Sequence, residues 1–291
     1  MTLVAKQKAA GWAFLIPASA MIAIMSFFPM VKAFILSLQT GKGANMHLSG
    51  FSNYVRMFQD KVFLRSVGNT FIYLAIQVPI MLVLAILLAQ LLNNRDLKLR
   101  GFFRTCVFLP CATSLVSYAL IFRFLFAQDG FVNNVLVGLG ILDQGYNFLG
   151  NAISAKIVII IALVWRWTGY NMVFYLAGLQ NIEYSVYEAA KIDGANGWVK
   201  FWKISLPSLN DTMVYVVIMT IIAGFQVIAY CDVLTNGAPF NTTLVSIKYI
   251  WKQAFEFNNM GYASTLSLIL FPALMVVTYF QVRGSDKRGD N

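Results

Sequence analysis

Long apolar runs separated by short polar clusters dominate the chain. Six of them, at about residues 10 to 38, 67 to 92, 102 to 127, 155 to 180, 210 to 231 and 262 to 282, reach the ~20 mostly apolar residues that a helix needs to cross a bilayer. Hydrocarbon supplies no hydrogen-bond partners, so every backbone N–H and C=O has to be paired within the segment, as a helix does. The pattern predicts an all-α integral membrane protein of six transmembrane helices. The chain has no internal repeat and no low-complexity stretch, so one continuous helical membrane domain is the simplest partition. Residues 1–66 then hold the first transmembrane helix and an outer loop, and 67–291 a five-helix core with a cytoplasmic loop at 181–208. The first run follows Lys6 and Lys8 and contains Ala18-Ser19-Ala20, which imitates a secretory cleavage site. That tripeptide falls in the middle of an apolar stretch unbroken from Ala9 to Val31, so the segment reads as an uncleaved first span.

Composition agrees with this pattern. Of the 291 residues 59% are hydrophobic and 12% charged, where an average soluble chain has roughly 25% charged residues. Soluble, disordered and disulfide-scaffold classes are excluded. A net charge of +10 in a soluble protein would point to nucleic acid, whereas in a membrane protein it reports orientation, because Lys and Arg favour cytoplasmic loops. With the N-terminus inside, the short inner segments carry twelve basic residues, among them Arg95, Lys98, Arg100, Arg104, Lys191, Lys200 and Lys203, against six in the longer outer loops. Both termini are therefore expected in the cytoplasm, and no nucleic-acid partner is expected. Cys106, Cys111 and Cys231 are odd in number, form no C-x-x-C and read as small apolar side chains. His47 is the only histidine, so no metal site and no catalytic constellation is expected.

The most informative polar stretch is the loop at 181–208. Ser185 followed by Glu188 has capping-box spacing, Ala189 and Ala190 are strong helix formers, and Gly194 suits the left-handed residue that ends a helix. A short helix over 185–194 is predicted, with Val186, Tyr187 and Ile192 as apolar contacts. Trp198, Phe201 and Trp202 interleave with Lys200 and Lys203, a pattern for the membrane interface. On these grounds alone two readings stand: an interfacial helix whose Glu188 serves only its own terminus, or a docking surface where two alanines let another protein approach closely.

Glu188-Ala189-Ala190, Gly194, Ile204, Leu206 and Pro207 reproduce, spacing included, the E-A-A-x3-G-x9-I-x-L-P motif of ABC importer permeases. The chain resembles, over nearly its whole length, the permeases of binding-protein-dependent carbohydrate importers of the maltose and glycerol-phosphate type. Trp165, Gly169, Asn171, Met172, Ala177-Gly178-Leu179-Gln180, Asp193-Gly194-Ala195 and Leu234-Thr235-Asn236-Gly237-Ala238-Pro239 extend the similarity. The resemblance implies a type I ABC importer permease fold in a bacterial cell membrane. It makes 185–194 the coupling helix, with Glu188, Ala189, Ala190, Lys191, Asp193, Gly194 and Ala195 facing an ATPase. It also implies two ATP-binding subunits, a second permease subunit, an extracytoplasmic solute-binding protein, and a carbohydrate, an oligosaccharide or glycoside, as cargo. A glycerol-phosphate-like solute is the alternative. No G-x-x-x-x-G-K-[ST] loop is present, Gly41-Lys42 lacking both the upstream Gly and the following Ser or Thr, so the chain is not expected to be an enzyme. ATP and magnesium belong to the partner subunits, and this chain carries no cofactor.

Polar residues within the apolar runs mark a candidate substrate path. Arg166, flanked by Trp165 and Trp167 in the fourth run, would cost about 2.5–3.5 kcal/mol facing lipid. Two roles are open to it: lining the path with Tyr170 and Asn171, or fastening helices by hydrogen bonds. Gln226, with Thr220 and Tyr230 near helical spacing, forms a second polar and aromatic stripe. Alignment on the resembling family places the midplane site near Trp167, Tyr170, Thr220 and Gly224. Trp167 and Gly224 are not residues that would supply the polar side-chain contacts expected there, which weighs against a dedicated sugar site. Arg123 and Asp232 read as anchors near the outer ends of their spans. The deep spans contain no Asp or Glu, which argues against an ion-coupled secondary transporter and against a membrane enzyme.

Overall fold

A computed structural model describes residues 3–43, 45–94, 96–225 and 229–289. In chain order the helices are α1 (Leu3–Ile22), α2 (Phe28–Ser37), α3 (Ser52–Gln59), α4 (Lys61–Asn93), α5 (Arg100–Ala112), α6 (Leu115–Leu125), α7 (Phe131–Gly138) and α8 (Ala152–Gln180). They continue with α9 (Tyr184–Ile192), α10 (Gly197–Lys200), α11 (Leu206–Ser208), α12 (Asn210–Phe225), α13 (Ala229–Thr235), α14 (Ser246–Trp251) and α15 (Met260–Gly289). Two two-residue strands, Gln39–Thr40 and His47–Leu48, pair antiparallel with Gln39 opposite Leu48. The chain divides into two compact units, residues 1–61 with 250–273 and residues 62–249 with 274–291.

In the first unit, α1 and α2 join through a π-helical turn, Ala23–Phe27, and Gly11–Ser37 is long and apolar enough to cross a membrane. Its own chain buries none of it up to Ile35, and Phe14 is 87% exposed. Below it, polar side chains hold the hairpin. The buried amide of Asn53 donates to the carbonyls of Ser37 at 3.0 Å and Gln39 at 2.8 Å. Thr265 donates to the same Ser37 carbonyl at 3.1 Å, and Tyr262 donates to Asp60 at 2.7 Å beneath the Arg56 guanidinium.

In the second unit, α4 and α8 are continuous helices of spanning length. One apolar cluster joins Tyr73, Tyr118, Phe122, Ile159, Leu163 and Leu234; another joins Ala85, Ala89, Met172, Leu179, Leu209 and Val216. Small residues set the helix spacing. At Gly169 an added Cβ would collide with the Val107 carbonyl, so α5 and α8 approach at backbone distance only because that position is glycine.

The third apolar run is not one helix, as the sequence pattern predicts, but α5 and α6 bent by 97°. Pro110 lies in the last turn of α5, Thr113 is extended, and the final carbonyls of α5 have no intrahelical partner. Arg166 of α8, 5% exposed, supplies the partners. Its Nη1 donates to the Pro110 carbonyl at 2.8 Å and to Thr113 Oγ1 at 3.2 Å, and its Nη2 to the carbonyls of Cys111 at 3.0 Å and Thr113 at 2.8 Å. The Tyr118 ring covers the guanidinium at 5.3 Å. A hydropathy count registers apolar content but not a bend, because Thr113 and Ser114 are too few to interrupt it. A 66° bend likewise separates Gly197–Ser208 from α12, and the last apolar stretch, Met260–Val276, lies within α15.

Replacing Arg166 with Met would remove the side-chain donor from the part-buried carbonyls of Cys111 and Thr113, at about 1–3 kcal/mol each, while the Pro110 carbonyl keeps the Thr113 hydroxyl at 2.8 Å. The Arg166→Met chain is expected to lose on the order of 5 °C or more in its unfolding midpoint in detergent. Lys, a single point donor, should recover only part of that loss. An unchanged midpoint in Arg166→Met would remove the guanidinium from this role.

Candidate functional site

Two places in the second unit gather the residues singled out from sequence. The first is α9. The helix runs Tyr184–Ile192 and buries none of its residues. Its start differs from the capping box expected: Glu183 is the N-cap residue, without a side-chain cap, and Ser185 already lies inside the first turn, donating to Glu183 Oε2 at 3.3 Å. The end is as predicted. Gly194 is left-handed at φ +78°, its N–H meets the Lys191 carbonyl at 3.1 Å, and the Ala195 N–H meets the Ala190 carbonyl at 2.9 Å. That pair of bonds is a Schellman stop, and it fixes where Asp193, Gly194 and Ala195 leave the helix.

Glu188, Ala189, Lys191, Asp193 and Gly194 are exposed, and Ala190 and Ala195 half-buried. Ile192 is 86% exposed, a large apolar side chain at the tip of a loop. Around Gly194 an added Cβ would meet nothing within 4 Å. Tyr187 faces inward and shares a hydrogen bond of 2.9 Å with the buried Ser205 hydroxyl, tying α9 to the segment that leads into α12. Asn196 caps α10 by accepting from the Val199 N–H at 2.9 Å, a signal readable from sequence as Asn before a short helix but missed there. Between α9, α10 and the α4–α5 connection lies a polar cavity of about 680 Å³ lined by Gln90, Asp96, Arg100, Tyr184, Tyr187 and Lys200, among others.

The second place is a cavity of about 160 Å³ between α4, α8 and α12. Trp167, Tyr170, Asn171 and Thr220 all line it, and so does Gly224. On α8 the rings form a ladder: Trp167 meets Tyr170 edge-on at 5.6 Å, Tyr170 meets Phe174 at 5.1 Å, and Phe174 meets Tyr215 of α12 at 5.6 Å. Positions 167, 170 and 174 follow the i, i+3, i+7 spacing of one helix face, so Phe174 was within reach of the sequence pattern. Gln77, 3% exposed in an otherwise apolar stretch of α4, also lines the cavity and was missed. Asn171 joins the walls. Its Nδ2 donates to the Trp167 carbonyl at 3.0 Å and to Met81 Sδ at 3.2 Å, and its Oδ1 accepts from Thr220 at 3.5 Å.

Arg166 does not line this cavity; its guanidinium is held at the α5–α6 break, the fastening role of the two open to it. Gln226 lies outside the described residues. Asp232, read as an anchor, forms an ion pair of 2.7 Å with Lys248, which is 4% exposed. Arg123 is exposed at the end of α6.

The chain is 41% identical to the lactose transport system permease protein LacF of Rhizobium radiobacter over 281 residues, covering 96% of this chain and 94% of that one. It is 32% identical to the arabinooligosaccharides transport system permease protein AraP of Bacillus subtilis (strain 168), covering 95% and 88%. The fold matches a crystal structure of a bacterial ABC transporter involved in the import of the acidic polysaccharide alginate, with a TM-score of 0.86 and 24% identity over 97% of this chain and 96% of that chain. Residues 58–288 match the family described as the binding-protein-dependent transport system inner membrane component, and the chain belongs to that family.

Proposed function

We propose that this chain is the permease subunit of an ABC importer that moves a sugar into the cell, driven by ATP hydrolysis on partner subunits. α9 docks on an ATP-binding subunit and carries its opening and closing to the spans. The observation that bears most weight is the exposed, Schellman-stopped α9, with Ile192 left uncovered on the loop that holds the family motif. An apolar side chain there gains free energy if it is buried against another surface, and the two small alanines beside it let such a surface approach the helix closely.

The rest of the complex follows the family. Six spans place both termini in the cytoplasm, a second permease subunit completes the translocation path, two ATP-binding subunits hold ATP and magnesium, and a solute-binding protein delivers cargo outside. The relatives named for lactose and for arabinooligosaccharides support a glycoside or oligosaccharide as cargo. The small aromatic cavity at Trp167, Tyr170, Asn171 and Thr220 supports a sugar-contacting stretch of the path on this chain, since flat rings pack on the carbon faces of sugars while amides and hydroxyls pair with their hydroxyls.

Ile192→Glu changes a side chain that touches little of its own protein, so the variant is expected to insert normally, yet co-purify at least tenfold less ATPase and lose uptake. Gly194→Val, strained at positive φ by about 1–2 kcal/mol, should do the same. Membranes carrying either variant that retained both ATPase and uptake would refute docking through α9. For the cavity, Tyr170→Ala and Phe174→Ala are expected to raise the sugar concentration for half-maximal uptake at least tenfold while ATPase co-purification stays at the unmodified level.

A further inference from the structure

The cavity at Trp167 and Tyr170 carries no charge. Its lining comprises aromatic rings, the amides of Gln77 and Asn171, the hydroxyl of Thr220, and small or apolar residues of α12. The nearest cation in sequence, Arg166, has both terminal nitrogens committed to carbonyls and a hydroxyl of the α5–α6 break. The donors within the cavity are partly committed as well, since the Asn171 amide serves Trp167 and Met81, and the Thr220 hydroxyl serves Asn171.

We infer that this cavity selects uncharged sugar units and rejects anionic ones, uronates and sugar phosphates alike, at the membrane step itself. The inference rests on the reading of the cavity as part of the sugar path. A carboxylate moved from water into this space would meet no cation among the described lining residues of this chain, and such burial is costly. The electronegative ring faces add to the cost, whereas the C–H face of a neutral pyranose is suited to them. A neutral hydroxyl both donates and accepts, so it can use the free lone pairs that remain on Gln77, Asn171 and Thr220. The volume, about 160 Å³, lies below the roughly 300–1,000 Å³ of pockets for drug-sized ligands, so selection acts on one sugar unit at a time. The net charge of +10 therefore has no bearing on cargo charge.

The test uses the assembled permease–ATPase complex in nanodiscs without binding protein, so that only the membrane step is read. Equilibrium binding is measured for the methyl glycosides of glucose and galactose, for their 6-uronates, and for the methyl esters of those uronates. At least one neutral glycoside should bind, its uronate should bind at least 100-fold more weakly, and the ester, matched in shape but uncharged, should recover most of the affinity. Met219→Lys, which sets a cation on the cavity wall, should bring the uronate to within tenfold of the neutral sugar. A uronate that binds the unmodified complex as tightly as its neutral parent overturns the charge selection while leaving the sugar path standing, provided Tyr170→Ala and Phe174→Ala weaken the neutral sugar. If those two variants bind the neutral sugar unchanged, or no neutral glycoside binds, the sugar path on this chain falls and the charge inference with it.

Discussion

The second unit depends on one guanidinium. A helix pair that turns through 97° leaves backbone carbonyls at the break without intrahelical partners, and Arg166 answers from α8 with three hydrogen bonds to carbonyls and one to the Thr113 hydroxyl. The same contact fixes the distance between α5 and α8, which Gly169 then allows to shrink to backbone approach against Val107. With α5 and α6 placed, Tyr118 stacks on Trp165 and Phe122 tilts against it, and the aromatic face that begins two residues further along α8, at Trp167, is left to the cavity. Of the two roles that the sequence leaves open for Arg166, its hydrogen bonds to residues 110–113 correspond to the helix fastener.

The end of α9 was legible because it depends on local backbone geometry. A left-handed glycine after two alanines can be read from a single loop, and the structure puts Gly194 at φ +78° with both Schellman bonds in place. The helix start was not legible to the residue. Ser185 and Glu188 have capping-box spacing, but the turn begins at Tyr184, so the hydroxyl falls within the helix and the spacing is coincidental. Span breaks and cavity walls were less visible still, since both depend on what a residue faces. Phe174 and Tyr215 share their type with many other rings in the apolar runs, and Trp167, which offers no amide or hydroxyl to a sugar, stands in the structure as one rung of a ladder. Gln77 was the exception, the one amide in the middle of the second apolar run, between Asn69 and Gln90 near its ends, and could have been read.

The two candidate places are joined through short routes. Phe174 and Gln180, the last residue of α8, are separated by about 9 Å of helix at 1.5 Å per residue, and α9 begins four residues later. On the other wall, the Tyr187–Ser205 bond ties α9 to the segment that enters α12, which carries Tyr215 and Thr220. α9 is thus connected to both walls of the cavity, through α8 and a three-residue link on one side and the Tyr187–Ser205 hydroxyl pair on the other. The Asn171–Thr220 contact, long at 3.5 Å, is the weakest polar link between those walls. The rest of the contact between them is apolar, Met172, Leu176 and Leu179 packing on Leu209 and Val216 and Phe174 on Tyr215, and non-directional packing of that kind lets two helices slide past one another at little cost.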